Sequence, residues 1–209
     1  MDVTRLLFVR HGETAWNRVL RFRGRADVPL NATGRAQARR VAARLASLDL
    51  AAVYASPLSR TIETARLIAA PHGLAVAPED ALVDLDYGAW QGRTPAEVAR
   101  SDGARLQRWR TDPARVRIPG GEPLGALRAR VLRLVRRLVR RHRGATVVLV
   151  SHDIVGRTLV AALLGLPLRT VWRIGQDNAA LSVFEHGPGG FAVVSVNDTG
   201  HLTPRTTRA

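Results

Sequence analysis

The chain has no cysteine, which excludes disulfides and thiolate metal sites and leaves its redox compartment unread. It has no lysine either, since all 32 of its basic residues are arginine. An absence that complete points to coding composition rather than to selection for one ligand. No apolar run reaches the length that spans a bilayer. The residues from Met1 to Arg5 lead into only four apolar ones, too few for a signal peptide, so a cytoplasmic location is expected. No internal repeat and no linker divides the sequence.

What is present fits an ordinary globular protein. Its 209 residues allow one substantial core and are few for two. A formal net charge of +15 raises the local concentration of anions. Charge alone also suits a nucleic-acid binder, but an arginine-rich solvated surface accounts for it, and no specific nucleic acid is expected as partner.

Hydrophobic patterning alternates between short runs and helical stripes. Leu6 to Val9 reads as a buried strand ending at Arg10-His11-Gly12. From Asn31 the spacing of Ala38, Val41, Ala42, Leu45 and Leu48 is helical. Ala52 to Tyr54 reads as a second strand, Leu58 to Ala70 as a helix, and Leu74 to Ala77 as a third strand. Val83 to Pro123 is punctuated by glycine and proline and reads as short helices and loops lying over a site. Leu124 to Arg143 is a long helix with a stripe of Leu127, Val131, Leu134, Val135 and Leu138. Its eight arginines form a solvated face rather than a membrane or nucleic-acid surface. Thr146 to Val150 is a strand, followed by an apolar helix to Leu164. Ala179 to Glu185 and Phe191 to Val196 pair across a glycine-rich turn, and a polar tail follows Leu202. The pattern predicts one domain over 1–209, an α/β/α three-layer fold on a mostly parallel sheet, with an insertion at about 84–123.

Ligands of such sheets bind beyond the carboxyl ends of the strands. Two strand ends here carry histidine, at His11 and at His152, and the second strand leads through Ser56-Pro57 into a helix bearing Arg60. With Arg10, these residues suit phosphoryl transfer. Neutral imidazole is a competent nucleophile near pH 7. Arginine forks hold phosphoryl oxygens and keep their charge. A carboxylic acid of raised pKa protonates the leaving oxygen, and Asp84-Leu85-Asp86 supplies candidates.

Leu7-Phe8-Val9-Arg10-His11-Gly12-Glu13-Thr14 resembles the signature of the histidine phosphatase superfamily, in its phosphoglycerate mutase-like branch. The match continues at Phe22 to Leu30, Thr33 to Ala38, Ser56 to Ala65, Asp86 to Gly92 and Val150-Ser151-His152. The resemblance implies a phosphohistidine at His11, with Arg10, Arg60 and His152 holding the phosphoryl oxygens. Asn17 and Gly24 match positions lining the phosphate pocket. It implies a mostly parallel sheet with one antiparallel edge strand, and neither a metal nor an organic cofactor.

Two positions depart from the family's pattern. Its proton donor is a glutamate where this chain has Asp84, one methylene shorter. Asp153 is the rival, because another branch places its acid directly after the second histidine; Asp84 is preferred, and Asp86 reads as structural. The second departure is Arg23, where relatives often carry glutamine. Either it hints at substrates with a second anionic group or it reflects the general excess of arginine. Only about thirty residues separate Gly92 from the helix at Leu124, a shorter insertion than in the cofactor-dependent mutases. Hydrolysis of small phosphate monoesters is therefore the expected activity. Mutase activity and a non-catalytic regulatory module are the alternatives. The substrate and the assembly state, with a homodimer among the options, stay open.

Overall fold

A computed structural model describes residues 3–202; the polar tail noted above falls outside them. Its framework is a six-stranded sheet in the order β3-β2-β4-β1-β5-β6. The strands are β1 (Thr4–Arg10), β2 (Ala52–Ala55), β3 (Val76–Pro78), β4 (Thr146–Ser151), β5 (Leu181–Gly187) and β6 (Gly190–Asp198). Pairings among β1 to β4 are parallel. β5 runs antiparallel to β1 and forms a hairpin with β6 at the edge. This is the mostly parallel sheet with an antiparallel edge that the sequence led us to expect.

Both faces of the central strands are covered, which is why β1 and β4 read as unbroken apolar runs. Alternate residues point to opposite faces. Leu6, Phe8, Val147 and Leu149 join one core with α5 (Leu124–Arg141) and α6 (Asp153–Leu163). Leu7, Val9, Val148 and Val150 join the other with α2 (Ala32–Leu45) and α3 (Ser59–Ala69). On α5, Leu127, Val131, Leu134, Val135 and Leu138 are buried, as the stripe predicted, together with Leu124 and Val139.

The segment after Val83 is more regular than its punctuation suggests. It contains α4 (Pro95–Thr111), opened by a Thr94–Glu97 capping box with proline at its start. The helix is broken at Asp102, whose φ of −148° and ψ of 39° are non-helical. That break explains why no long helical period is visible. Leu85, Trp90, Val98, Leu106, Trp109, Val116 and Ile118 are buried against the α5–α6 side of the core. Their widely spaced apolar residues conceal this contribution to the interior.

A short helix, α1 (Ala15–Arg18), follows the loop after β1. That loop is locked to the start of α2. Asn31 caps α2 by accepting from Gly34 N at 2.8 Å and donates to Glu13 Oε1 at 2.7 Å. Gln37 accepts from Glu13 N at 2.9 Å. A Cβ on Gly34 would lie 2.1 Å from Glu13 O, and one on Gly12 would lie 2.3 Å from Gly34 O. Gly34→Ala must therefore shift the loop carrying His11, at a cost of about 1–3 kcal/mol. Thermal unfolding should show a loss of several degrees, roughly 2–4 °C per kcal/mol. Gly103→Ala is the control, since nothing lies within 4 Å of its added Cβ. Equal melting temperatures for the two variants would contradict the close packing.

Candidate active site

His11 follows β1 directly, and the sheet edge fixes its backbone. Its N–H donates to Ser151 O at 3.0 Å, and its carbonyl accepts from Ala179 N at 3.2 Å and Asn178 Nδ2 at 3.1 Å. The imidazole Nδ1 lies 2.6 Å from Gly12 O. A carbonyl can only accept, so Nδ1 carries the proton and Nε2 keeps a free lone pair. Burial, then the charges of Arg60, Arg10 and Arg23, push the His11 pKa well below the usual imidazole value. The ring is neutral at pH 7.

Arg60 reaches the same place from the first turn of α3. Its side chain is 0% exposed, yet its guanidinium donates chiefly to backbone, at 2.8 Å to Ala26 O and 2.9 Å to Gly24 O. Gly24 has φ +52° and no room for a Cβ beside Gln91 Oε1, so glycine is needed for its carbonyl to turn toward Arg60. Arg60 also donates to His152 Nδ1 at 3.3 Å. Because arginine only donates, His152 is the tautomer with its proton on Nε2, which faces Ser56 Oγ at 2.8 Å. Burial, followed by the charge of Arg60, holds His152 well below its usual pKa. The two rings stand edge to face, 5.3 Å apart. Arg10 is buried and anchored through Gln176 O. Burial draws it down to about 10, so it remains a cation at neutral pH.

Asp84 comes to this cluster from the loop before α4. Its Oδ2 lies 3.6 Å from Arg60 and 3.8 Å from His152 Nδ1, and Oδ1 accepts from Leu85 N at 2.9 Å. Burial raises its pKa against the opposing charges of Arg60 and Arg23. Two contacts fix the loop: Ser151 Oγ donates to Leu82 O at 2.6 Å, and Arg130 from α5 donates to Ala81 O and Asp84 O. Asp153 is placed differently. It opens α6 and is bonded by Arg157, which also holds Val171 O and Ile174 O. Asn17 accepts from Thr14 N at 2.9 Å and Thr14 Oγ1 at 2.8 Å, and its amide Nδ2 meets no partner among the described residues.

The structure thus gathers His11, Arg10, Arg60, His152 and Asp84, with Arg23 close enough to act on all of them by charge. Buried Nε atoms of Arg10, Arg23 and Arg60 have no hydrogen-bond partner among the described residues. Orphaned cationic donors are costly unless an anion meets them. The arrangement sets unsatisfied cationic donors beside an imidazole with a free lone pair. Elsewhere Phe22, Pro95, Leu106, Trp109, Arg110 and Trp172 line a cavity of about 350 Å³.

Several contributors were not singled out in the sequence. Ser56 was legible in principle, since Ser56-Pro57 follows a strand. Gln176 and Asn178 act on Arg10 and His11 from 165 residues or more along the chain, and no local pattern marks them. Arg130 was hidden among the arginines of α5. Tyr87 is half-buried near Asp84, and its hydroxyl pKa is pushed well up by desolvation and then by the Asp84 charge.

Known proteins resemble the chain over nearly its whole length. Residues 6–199 match the model of the histidine phosphatase superfamily, branch 1. The chain is 36% identical over 200 residues to phosphoserine phosphatase 1 of Hydrogenobacter thermophilus, covering 96% of this chain and 95% of that one. It is 33% identical over 199 residues to a probable phosphoglycerate mutase GpmB of Enterobacter sp., covering 93% of each. Among solved structures, YhfR of Bacillus stearothermophilus superposes with a TM-score of 0.92 at 32% identity, over 96% of this chain and 100% of that one. Two histidines, two buried arginines and one carboxyl group thus meet at the strand ends of a fold shared with these relatives over nearly its whole length, and the chain belongs to the histidine phosphatase superfamily, branch 1.

Proposed function

We propose that the protein is a phosphatase that hydrolyses small phosphate monoesters through a phosphohistidine on His11, acting in the cytoplasm. The observation that carries this reading is the free Nε2 of a neutral, buried His11 set among unsatisfied arginine donors. Arg10 and Arg60 hold the equatorial oxygens, where charge develops during transfer, and His152 backs Arg60 at the same place. Asn17 offers its free amide, and the Gly24 carbonyl fixes Arg60. Nε2 forms a bond to phosphorus as the ester P–O bond breaks, and Asp84 gives its proton to the departing alkoxide. Water then attacks the phosphohistidine, Asp84 takes up the water proton, and cleavage of the P–N bond restores His11.

Asp84 suits the acid role better than Asp153. It sits within 4 Å of both Arg60 and His152, and burial keeps it protonated to higher pH. Asp153 is engaged by Arg157. The relative named as a probable mutase makes transfer between phosphoglycerates the second reading. Efficient transfer with little phosphate release would establish that reading instead.

His11→Ala should lower kcat by about a thousandfold or more and abolish the phosphoryl adduct seen by mass spectrometry of quenched enzyme. Full activity in that variant would overturn the mechanism. Asp84→Asn should slow esters of poor leaving groups by about 10²–10⁴-fold, and p-nitrophenyl phosphate much less. The reverse pattern, with Asp153→Asn the damaging change, would move the acid to Asp153.

The pH profile carries a sign. The depressed His11 pKa keeps the nucleophile active below pH 6.5, and activity falls only as the ring protonates at lower pH. The raised Asp84 pKa keeps the acid protonated above its ordinary range, and activity on poor leaving groups falls as pH rises through that value. Asp84→Asn should remove this alkaline limb; its persistence in the variant would show that another group titrates.

A further inference from the structure

We propose that Asn197, on the edge strand β6, positions the nucleophile His11 and its neighbour Arg10 by bracing the loop from Gly175 to Ala179. This rests on the phosphatase reading above and adds a positioning residue to the same site.

That loop holds both residues from one side. Gln176 O is the acceptor that the Arg10 guanidinium reaches among the described residues. Ala180 O, just beyond the loop, accepts from Arg10 N at 3.2 Å. Ala179 N and Asn178 Nδ2 donate to His11 O. Yet residues 175–179 belong to no helix or strand, so no ladder of their own fixes them. Ala179 moreover has φ +55°, in the left-handed region, although it is not glycine. A residue so strained persists only where its surroundings impose the conformation.

Asn197 supplies much of that constraint. Leu181 pairs with Asp198 and Val183 with Ser195, so Val196 and Asn197 together face Ser182 alone. This is a β-bulge, a device that re-aims a side chain. Asn197 takes φ +58°, which asparagine tolerates better than most residues, and its N–H donates to Ser182 Oγ at 3.1 Å. Its side chain then grips the loop twice. Oδ1 accepts from Asp177 N at 2.6 Å, and Nδ2 donates to Asp177 Oδ2 at 2.8 Å. A Cβ on Gly175 would lie 2.8 Å from Nδ2, so the loop backbone passes close against the amide. Asp177 stands between Gln176, which holds Arg10, and Asn178, which holds His11, so fixing it fixes both contacts. His201 Nε2 adds a second brace by donating to Ala179 O at 3.0 Å.

The test uses Asn197→Gly, which keeps the positive φ accessible and removes both side-chain hydrogen bonds. With p-nitrophenyl phosphate as substrate, kcat should fall by about 10- to 100-fold, the effect of a small misplacement of reacting groups. A misfolded fraction would also lower kcat, so the electrostatic surroundings of His11 are read beside it. Arg60 from α3, then Arg10 and Arg23, depress the His11 pKa; His152 faces the ring, and Asp84 lies against His152. Displacing Arg10 should therefore raise the His11 pKa, followed by NMR titration of the imidazole signal that His11→Ala removes. The acid limb of kcat/KM should move to higher pH with it. Asn197→Asp combined with Asp177→Asn exchanges donor and acceptor, and should restore both kcat and the titration. An unchanged kcat in Asn197→Gly overturns the inference, as does a fall in kcat with the His11 titration unmoved. Failure of the exchanged pair to restore either quantity overturns it equally. The titration needs no turnover: a shifted His11 without hydrolysis by wild type would keep the role of Asn197 and defeat the phosphatase reading. Hydrolysis by wild type with an unshifted His11 in the variant would do the opposite.

Discussion

The burial of the Arg60 guanidinium is the constraint on which the rest of the site depends. A cation at 0% exposure would ordinarily need a carboxylate held tightly against it. Here two backbone carbonyls accept from its two terminal nitrogens, and the carboxylate of Asp84 stands at 3.6 Å. The loop from Gly24 to Ala26 must therefore fold over the start of α3, and Gly24 must adopt a backbone that other residues resist. The Nε of Arg60 is left without a partner, and so are those of Arg10 and Arg23. This incomplete satisfaction costs stability and leaves donors that an anion could meet.

The same field sets protonation states. Two histidines 5.3 Å apart among arginines are held neutral, one with a free lone pair on Nε2. A carboxyl group in the same field would ordinarily be driven to ionise. Burial outweighs that effect for Asp84, whose pKa is raised. One cluster thereby holds a neutral imidazole whose pKa is lowered and a carboxyl group whose pKa is raised. Rigid clamps serve this balance: the Gly12–Gly34 contact beneath the His11 loop, and the Ser151 and Arg130 hydrogen bonds to the Asp84 loop.

Arginine is so abundant here that its sequence positions alone say little about role. The structure sorts them by burial and partner. Arg10 and Arg60 lose their water and face the crevice; Arg130 and Arg157 cross-link loops through carbonyls. Those on the outer face of α5, such as Arg133, Arg136 and Arg140, are exposed. Arg23 lies between these groups, half-buried and unpaired, which is why the sequence left its role undecided.

Local chemistry made the strands, the four long helices outside the irregular segment and the histidine-bearing strand ends legible in the sequence. Parallel strands buried on both faces must be apolar, and core-facing helices must repeat at their own period. His11, Arg10, Arg60 and His152 were nameable because each sits in a motif beside a strand end or helix start, and Asp84 because it belongs to an acidic cluster at the position where the family resemblance implies the acid. Three things depended on the tertiary structure. α4 was concealed by its break at Asp102 and by sparse apolar spacing. The supports Gln176, Asn178 and Arg130 act through carbonyl and amide contacts between segments far apart in the chain, which no periodicity records. The contrast between Asp84 and Asp153 is one of environment, since two identical side chains differ only in what surrounds them: one is buried beside Arg60 and His152, the other bonded to Arg157. Sequence by itself determined which residue types reach the strand ends; the fold decided their partners and protonation, because burial and distance exist only once the chain has closed on itself.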